Sequence, residues 1–267
     1  MKNINLSVRR QLCMTALAII AIASLSCGSS PPEPSSAAAP TAAVPLPELL
    51  TRVDQLYEQR EDLARLREGV ALLRNARTTD AQSYDVAWRL AQFNYYLGAH
   101  TKDENERDNA FREGVEAGEA AVRLQAEKPE GHFWFGANMG GRAQSSSLSG
   151  LADAEDIKRE MEAVIKLDES YQGGSAYMVL GQVDLELPRL MGGDPQQAVK
   201  NLEKGLKFGD DNPLLRLRLA EAYLATGRKD DARKQLDFLL NMKPNPKYIP
   251  EYKEATEEGR KLLSSRF

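Results

Sequence analysis

Residues 212–244 read NPLLRLRLAEAYLATGRKDDARKQLDFLLNMKP, and the way this stretch folds decides the architecture of the chain. Leu215, Leu219, Ala222 and Tyr223 fall on one face of a helix, and Ala232, Leu236, Leu239 and Leu240 on one face of another. Gly227 stands between the two sets, where a helix end favours a residue without Cβ, and Pro244 follows the second. The stretch therefore predicts a helix, a tight turn and a second helix running back along the first. Past Pro45 the apolar residues recur at three- and four-residue spacing nearly everywhere, with almost no alternating strand pattern, so the expected fold is all-α.

Leu219, Ala220, Tyr223, Gly227, Ala232, Leu236, Leu239 and Pro244 resemble a tetratricopeptide repeat in size and spacing. Weaker copies precede it. One opens at Tyr177-Met178-Val179-Leu180-Gly181, and its second helix starts at Asp194-Pro195-Gln196-Gln197, which reads as N-cap, first-turn proline and capping-box glutamine. Another opens at GHFWFG, residues 131–136, followed by a helix over 153–167; a third runs over 85–97, followed by 109–124. The small residues Ala91, Gly136, Gly181 and Ala220 stand 45, 45 and 39 residues apart, against about 34 in a regular repeat. The excess is expected in loops inside the hairpins, at 99–109, 143–155 and 186–194. Residues 46–77 add a helix pair in front and 251–263 a charged closing helix, the atypical ends that cap an array. The expectation is a tetratricopeptide-like superhelix of about four hairpins, with irregular repeats, long intra-hairpin loops and a concave inner face.

The chain opens differently. Lys2, Arg9 and Arg10 precede an apolar run over 12–22, the layout of an export signal and short for the ~20 residues of a membrane span. Ser24-Leu25-Ser26-Cys27 resembles the lipobox of bacterial lipoproteins, which implies a signal peptide over 1–26 and lipidation (palmitate) of Cys27. Gly28 after that cysteine points to the outer membrane, facing the periplasm. Residues 27–45 form a tether rich in Pro, Ala and Ser; the eighteen from Gly28 reach roughly 55 Å when extended. The helical domain is expected over 46–267. With Cys13 removed and Cys27 acylated, cysteine catalysis and disulfides are both excluded.

The formal net charge is −4 and becomes more acidic once the basic leader is removed, a poor match for nucleic acid. No motif calls for a metal or cofactor. His100 and His132 lie far apart, no GxSxG elbow or phosphate loop occurs, and Gly192-Gly193-Asp194-Pro195 reads as a turn into a helix cap. Glu160 and Glu162 read as a solvated face, Ser145-Ser146-Ser147 as a polar loop, and His132 as a capping or loop residue. No catalytic residue is assigned, and the chain is expected not to be an enzyme.

In tetratricopeptide arrays the first helix of each hairpin lines the groove. The resemblance thus nominates Trp88, Gln92, Tyr95 and Tyr96, then Phe133 with Ala137, Gly140 and Gly141, then Met178 and Gln182, then Leu217. Trp134, Asn138 and Arg142 share a further face at i, i+4 and i+8, with interface packing and ligand contact both open, whereas Phe135, Gly136 and Met139 take packing positions.

The lipoprotein signal, the degenerate repeats, HFWFG and ELPRLMGGDPQQAVKNLEKGL together resemble the T-component lipoproteins of TRAP-type solute transporters. That resemblance implies a lipid-anchored periplasmic protein that assembles with a solute-binding protein, handles an apolar or amphiphilic ligand and can form homo-oligomers. The helix pairs over 85–123 and 131–167 also resemble the eukaryotic regulators of microtubule dynamics. The alternative function is a cell-envelope scaffold for protein–protein interaction.

Overall fold

The computed structural model describes residues 44–145 and 154–267. Eleven α-helices make up the described chain: α1 Leu46–Glu58, α2 Leu63–Thr79, α3 Tyr84–His100, α4 Glu104–Leu124, α5 Pro129–Ser145, α6 Ala154–Leu167, α7 Ser175–Glu186, α8 Pro195–Gly205, α9 Pro213–Ala225, α10 Lys229–Asn241 and α11 Ile249–Arg266. No strand occurs among the described residues, and no helix there is long and apolar enough to cross a membrane. Residues 44–267 form one compact unit. The signal, Cys27 and nearly all of the tether lie outside the described residues.

Short polar side chains start the helices. Asp62, Ser83, Asp103, Asp194 and Asn212 each accept a hydrogen bond from a backbone N–H of the first turn, and Pro195 and Pro213 occupy positions where no N–H is missed. Gly227 ends α9 at φ 78°, a left-handed conformation that only a residue without Cβ takes at little cost. The hairpin read from residues 212–244 is thus present as α9 and α10.

Successive helices pack antiparallel, and the odd-numbered ones also touch each other in series, α1 on α3, α3 on α5, α7 on α9 and α9 on α11, forming an inner layer. Two apolar cores result. The first runs from Val53 and Leu66 through Leu90, Phe93 and Trp134 to Met161 and Val164. The second joins Leu202, Leu217, Leu219, Leu236, Leu239 and Ala255. Each fully buried leucine here contributes about 1.5–3 kcal/mol. The small residues read as crossing points serve as such: Ala91 and Ala220 are fully buried, a Cβ on Gly136 would lie 2.4 Å from Met161 Cε, and one on Gly181 would lie 2.6 Å from Leu202 Cγ.

The loop expected over 99–109 is largely helix instead. α3 continues to His100 and α4 begins at Glu104, because the Asp103 carboxylate accepts from Glu106 N and starts the helix early. The longer repeat is accommodated there by a 21-residue α4. The expected 186–194 loop is real and holds one 3-10 turn, Arg189–Met191. Of the 143–155 loop, Ala143–Ser145 belong to α5 and Ala154 opens α6, while 146–153 lie outside the described residues.

Candidate functional site

The inner layer borders an open cavity of about 1410 Å³ lined mainly by residues of α1, α3, α5, α7, α9 and α11. Eleven of the sequence-nominated residues line it: Trp88, Gln92, Tyr95, Tyr96, Phe133, Trp134, Ala137, Gly140, Gly141, Met178 and Gln182. α3 supplies four of them because 88, 92, 95 and 96 repeat at helical spacing and share its inner face.

Four of these rings, with Tyr57 and Tyr171, form a continuous belt of edge-to-face and tilted contacts. Tyr57 of α1 meets Tyr96 at 5.3 Å, Tyr96 meets Tyr95 at 5.9 Å, Tyr95 meets Trp134 at 5.7 Å, Trp134 meets Phe133 at 5.0 Å, and Phe133 meets Tyr171 at 5.3 Å. Tilted contacts of this kind place positive ring edges on negative faces and contribute about 0.5–1.5 kcal/mol each. Burial raises the pKa of the Tyr57 and Tyr95 hydroxyls, so both stay neutral.

Three nominated residues do not line the cavity. Leu217 is fully buried in the second core, while Leu214 and Arg218 of the same helix reach the cavity instead. Asn138 is fully buried and donates to the carbonyls of Ala91 (2.9 Å) and Trp134 (2.7 Å), tying α5 to α3. Arg142 is not among the lining residues. Gly140 and Gly141 both line the cavity as expected; Gly140 opens onto free space, and beside Gly141 stands the Phe111 ring, which also lines the wall and which an added Cβ would strike.

His132 and Glu160 also depart from the sequence reading. His132 Nδ1 lies 2.6 Å from Glu160 Oε2 and Nε2 lies 2.9 Å from the Ala126 carbonyl, with both side chains buried. Two acceptors flank the ring, so full pairing needs both N–H groups and a charged imidazolium. The bond to Glu160 accordingly raises the His132 pKa, against the opposing effect of burial. Glu162 is exposed as expected.

Sequence reasoning missed the polar clasp that closes the ring of inner helices. The Arg60 guanidinium, after α1, donates to both Glu251 oxygens of α11 (2.8 and 3.1 Å) and to the Lys247 carbonyl (2.8 Å). The Tyr96 hydroxyl also donates to Glu251. One turn further on, the His100 imidazole stands 3.9 Å from the Glu254 carboxylate, and this contact lowers the Glu254 pKa. Applying the first-helix rule to α1 would have named Tyr57; Arg60 and Glu251, 191 residues apart, carry no local signal of their pairing.

Ionised groups on the wall are mostly matched: Arg60 with Glu251, Arg89 with Asp54 and Asp85, Arg218 with Glu221. Among the described residues no group of His, Cys, Asp and Glu is arranged to hold a metal ion. Rings, carboxamides and neutralised charges suit reversible recognition of a largely apolar ligand.

The model of the tetratricopeptide repeat family matches residues 189–255, the stretch that builds most of the second core. Among solved structures, a thermophilic TPR protein of Thermus thermophilus is 20% identical over 81% of this chain and 97% of its own, with a TM-score of 0.61. PilF of Pseudomonas aeruginosa is 17% identical over 82% of this chain and 93% of its own, with a TM-score of 0.52. At these identities the likeness is one of fold. No curated protein matches the chain. A second family model, described as regulator of microtubule dynamics protein 1-3, matches residues 49–186, the helices α1 to α7 that build the first core and most of the aromatic wall. Neither matching model is that of a T-component. With more than half its length covered by the second of these models, the chain belongs to the regulator of microtubule dynamics protein 1-3 family, continued by a tetratricopeptide repeat.

Proposed function

We propose that the protein is a non-enzymatic interaction module that binds a polypeptide segment in its concave cavity. The aromatic belt inside a cavity of about 1410 Å³ carries this reading, because small-molecule sites occupy about 300–1,000 Å³. Family membership lends the same direction, since the description names an action on a protein assembly. The lipobox-like Ser24–Cys27 adds export and a lipid anchor at Cys27, on the periplasmic face of the outer membrane. Fractionation tests the anchor: Cys27→Ala should leave the membrane, and a variant that stays bound would remove it from the proposal.

A second reading makes the protein the accessory binding component of a TRAP-type system, handling an apolar or amphiphilic ligand. The ring-lined, charge-neutralised wall favours it. Random 12-residue peptides displayed on phage and the lipophilic dye N-phenyl-1-naphthylamine separate the two. Selected peptides should bind with an affinity that Trp88→Ala and Phe133→Ala both weaken, with helix content retained. Dye binding without any peptide binding favours the second reading, and peptide affinity unmoved by both variants removes the cavity from the first.

A further inference from the structure

Leu190 is fully exposed and Met191 half-exposed in the turn that joins α7 to α8. Neither belongs to an apolar cluster. Exposed rings elsewhere have cover: Phe208 stacks on Tyr177 at 6.1 Å, and the Arg216 guanidinium lies 3.5 Å from the centre of the Phe238 ring. Residues 187–193, LPRLMGG, also differ from most other turns in charge. Residues 59–62, 101–103, 125–128 and 206–212 each hold an acid, whereas 187–193 hold only Arg189, which is exposed and makes no ion pair among the described residues.

The turn keeps its shape without a partner. Met191 N–H donates to the Pro188 carbonyl (2.8 Å), Gly193 N–H to the same carbonyl (3.2 Å) and Asp194 N–H to the Asp184 carbonyl of α7 (2.9 Å). Gly192 takes φ 92°, and a Cβ on Gly193 would strike the Leu187 carbonyl, so this tight turn needs both glycines. Backbone groups paired in this way cost little to bring out of water, which is the condition for entering a bilayer interface.

A fixed knuckle with two apolar side chains and one adjacent unpaired cation matches acyl chains lying beneath anionic head groups. A pocket on a folded partner would need both an apolar recess and an acid at set places, whereas an anionic bilayer offers the two at every point. Each of the two side chains strengthens partition by only about tenfold or more. On an anchored chain, however, the step is intramolecular, and a weak contact suffices. The tether of residues 28–45 extends to roughly 55 Å, against about 18 Å for the 12 residues of α7, so the turn can reach the bilayer.

We propose that the α7–α8 turn seats Leu190 and Met191 in the interface of a phospholipid bilayer, with Arg189 among anionic head groups, and so fixes how the array stands on the membrane. This rests on the export and anchor reading above and adds a second membrane contact, made by the folded domain itself.

The test uses the full chain as its host makes it, reconstituted with vesicles of phosphatidylethanolamine and phosphatidylglycerol that carry either ordinary or brominated acyl chains, the latter quenching tryptophan on contact. Leu190→Trp replaces a side chain that packs on nothing, so the fold is kept; Met191→Trp repeats the measurement one residue on. The parent supplies the background of Trp88 and Trp134. Emission of Leu190→Trp should shift to the blue and lose intensity to brominated lipid. Glu127→Trp, on the exposed α4–α5 turn at the other end of the inner helices, should do neither. Arg189→Glu added to Leu190→Trp should weaken the quenching on phosphatidylglycerol and leave it unchanged on phosphatidylcholine; equal effects on both lipids overturn the head-group contact. A chain that floats with the vesicles but shows Leu190→Trp and Met191→Trp no more quenched than Glu127→Trp overturns the seat and leaves the anchor standing. A chain that does not float overturns the anchor reading and this inference with it. A blue shift that grows with protein concentration without lipid makes a second copy the occupant and overturns the assignment to a bilayer.

Discussion

Glu251→Ala tests whether the clasp holds the two ends of the array together. Arg60 and Glu251 side chains are 9% and 11% exposed and share three hydrogen bonds. Removing the carboxylate leaves Arg60 buried with the Lys247 carbonyl at 2.8 Å and the Tyr57 carbonyl at 3.5 Å. A buried charge stripped of its partner costs about 3–5 kcal/mol. For a domain of this size that lowers Tm by about 6–20 °C. The pair also links the helix turn beside the first core to the last helix of the second, so its loss should split a single urea transition into two. Replacing both partners, Arg60→Met with Glu251→Leu, should cost far less than the single change, since no charge is left buried. The nearby Lys253–Glu61 pair, 62% and 50% exposed, serves as the internal control; Lys253→Ala should cost less than about 1 kcal/mol. Urea denaturation followed by circular dichroism and by fluorescence reads all three variants against the parent. A loss below about 1 kcal/mol for Glu251→Ala, or a double variant as unstable as the single one, would refute the reasoning.

Two helix glycines should respond with opposite signs. A Cβ on Gly118 would stand 2.6 Å from Phe135 Cα, a backbone atom that cannot yield, so Gly118→Ala should destabilise by about 1–3 kcal/mol despite its better helix propensity. Gly140 has nothing within 4 Å, so Gly140→Ala should gain up to about 1 kcal/mol; equal shifts in thermal melts would contradict the close α4–α5 contact. The raised pKa of His132 makes stability depend on pH. Its pairing with Glu160 contributes fully below the unfolded-state value of about 6.5 and is lost as pH rises through the higher folded-state value. Stability measured upward from pH 6 should therefore fall, and His132→Gln should flatten that part of the profile; an unchanged profile would show that the pair is not charged.

Much of the architecture was legible because it is local. The 3.6-residue period of Leu215, Leu219, Leu236 and Leu239, the turn at Gly227 and the cap at Asp194 act within one or two helical turns and need no distant partner. The groove face of α3 was legible for the same reason, since Trp88, Gln92, Tyr95 and Tyr96 can only point one way once α3 is a helix packed through Ala91. The early start of α4 was encoded too, in Asp103 and Glu106, but the polar residues around them resemble a loop until the capping bond is seen.

What lies beyond the turn belongs to the tertiary structure. α9 carries Leu214, Leu215, Leu217 and Leu219 around much of its surface, and only the packing of its neighbours decides that Leu217 is core while Leu214 meets the cavity. Glu160 carries the charge pattern of a solvated face, yet His132, 28 residues away, draws it inside. The clasp of Arg60, Tyr96 and Glu251 exists because the superhelix returns on itself. By itself the sequence determined the helices, their pairing and the aromatic inner face, through forces that act within a few residues. Ring closure and the choice of which polar groups are buried were decided only by tertiary structure, because the energy of a charge or an amide depends on what the fold brings next to it.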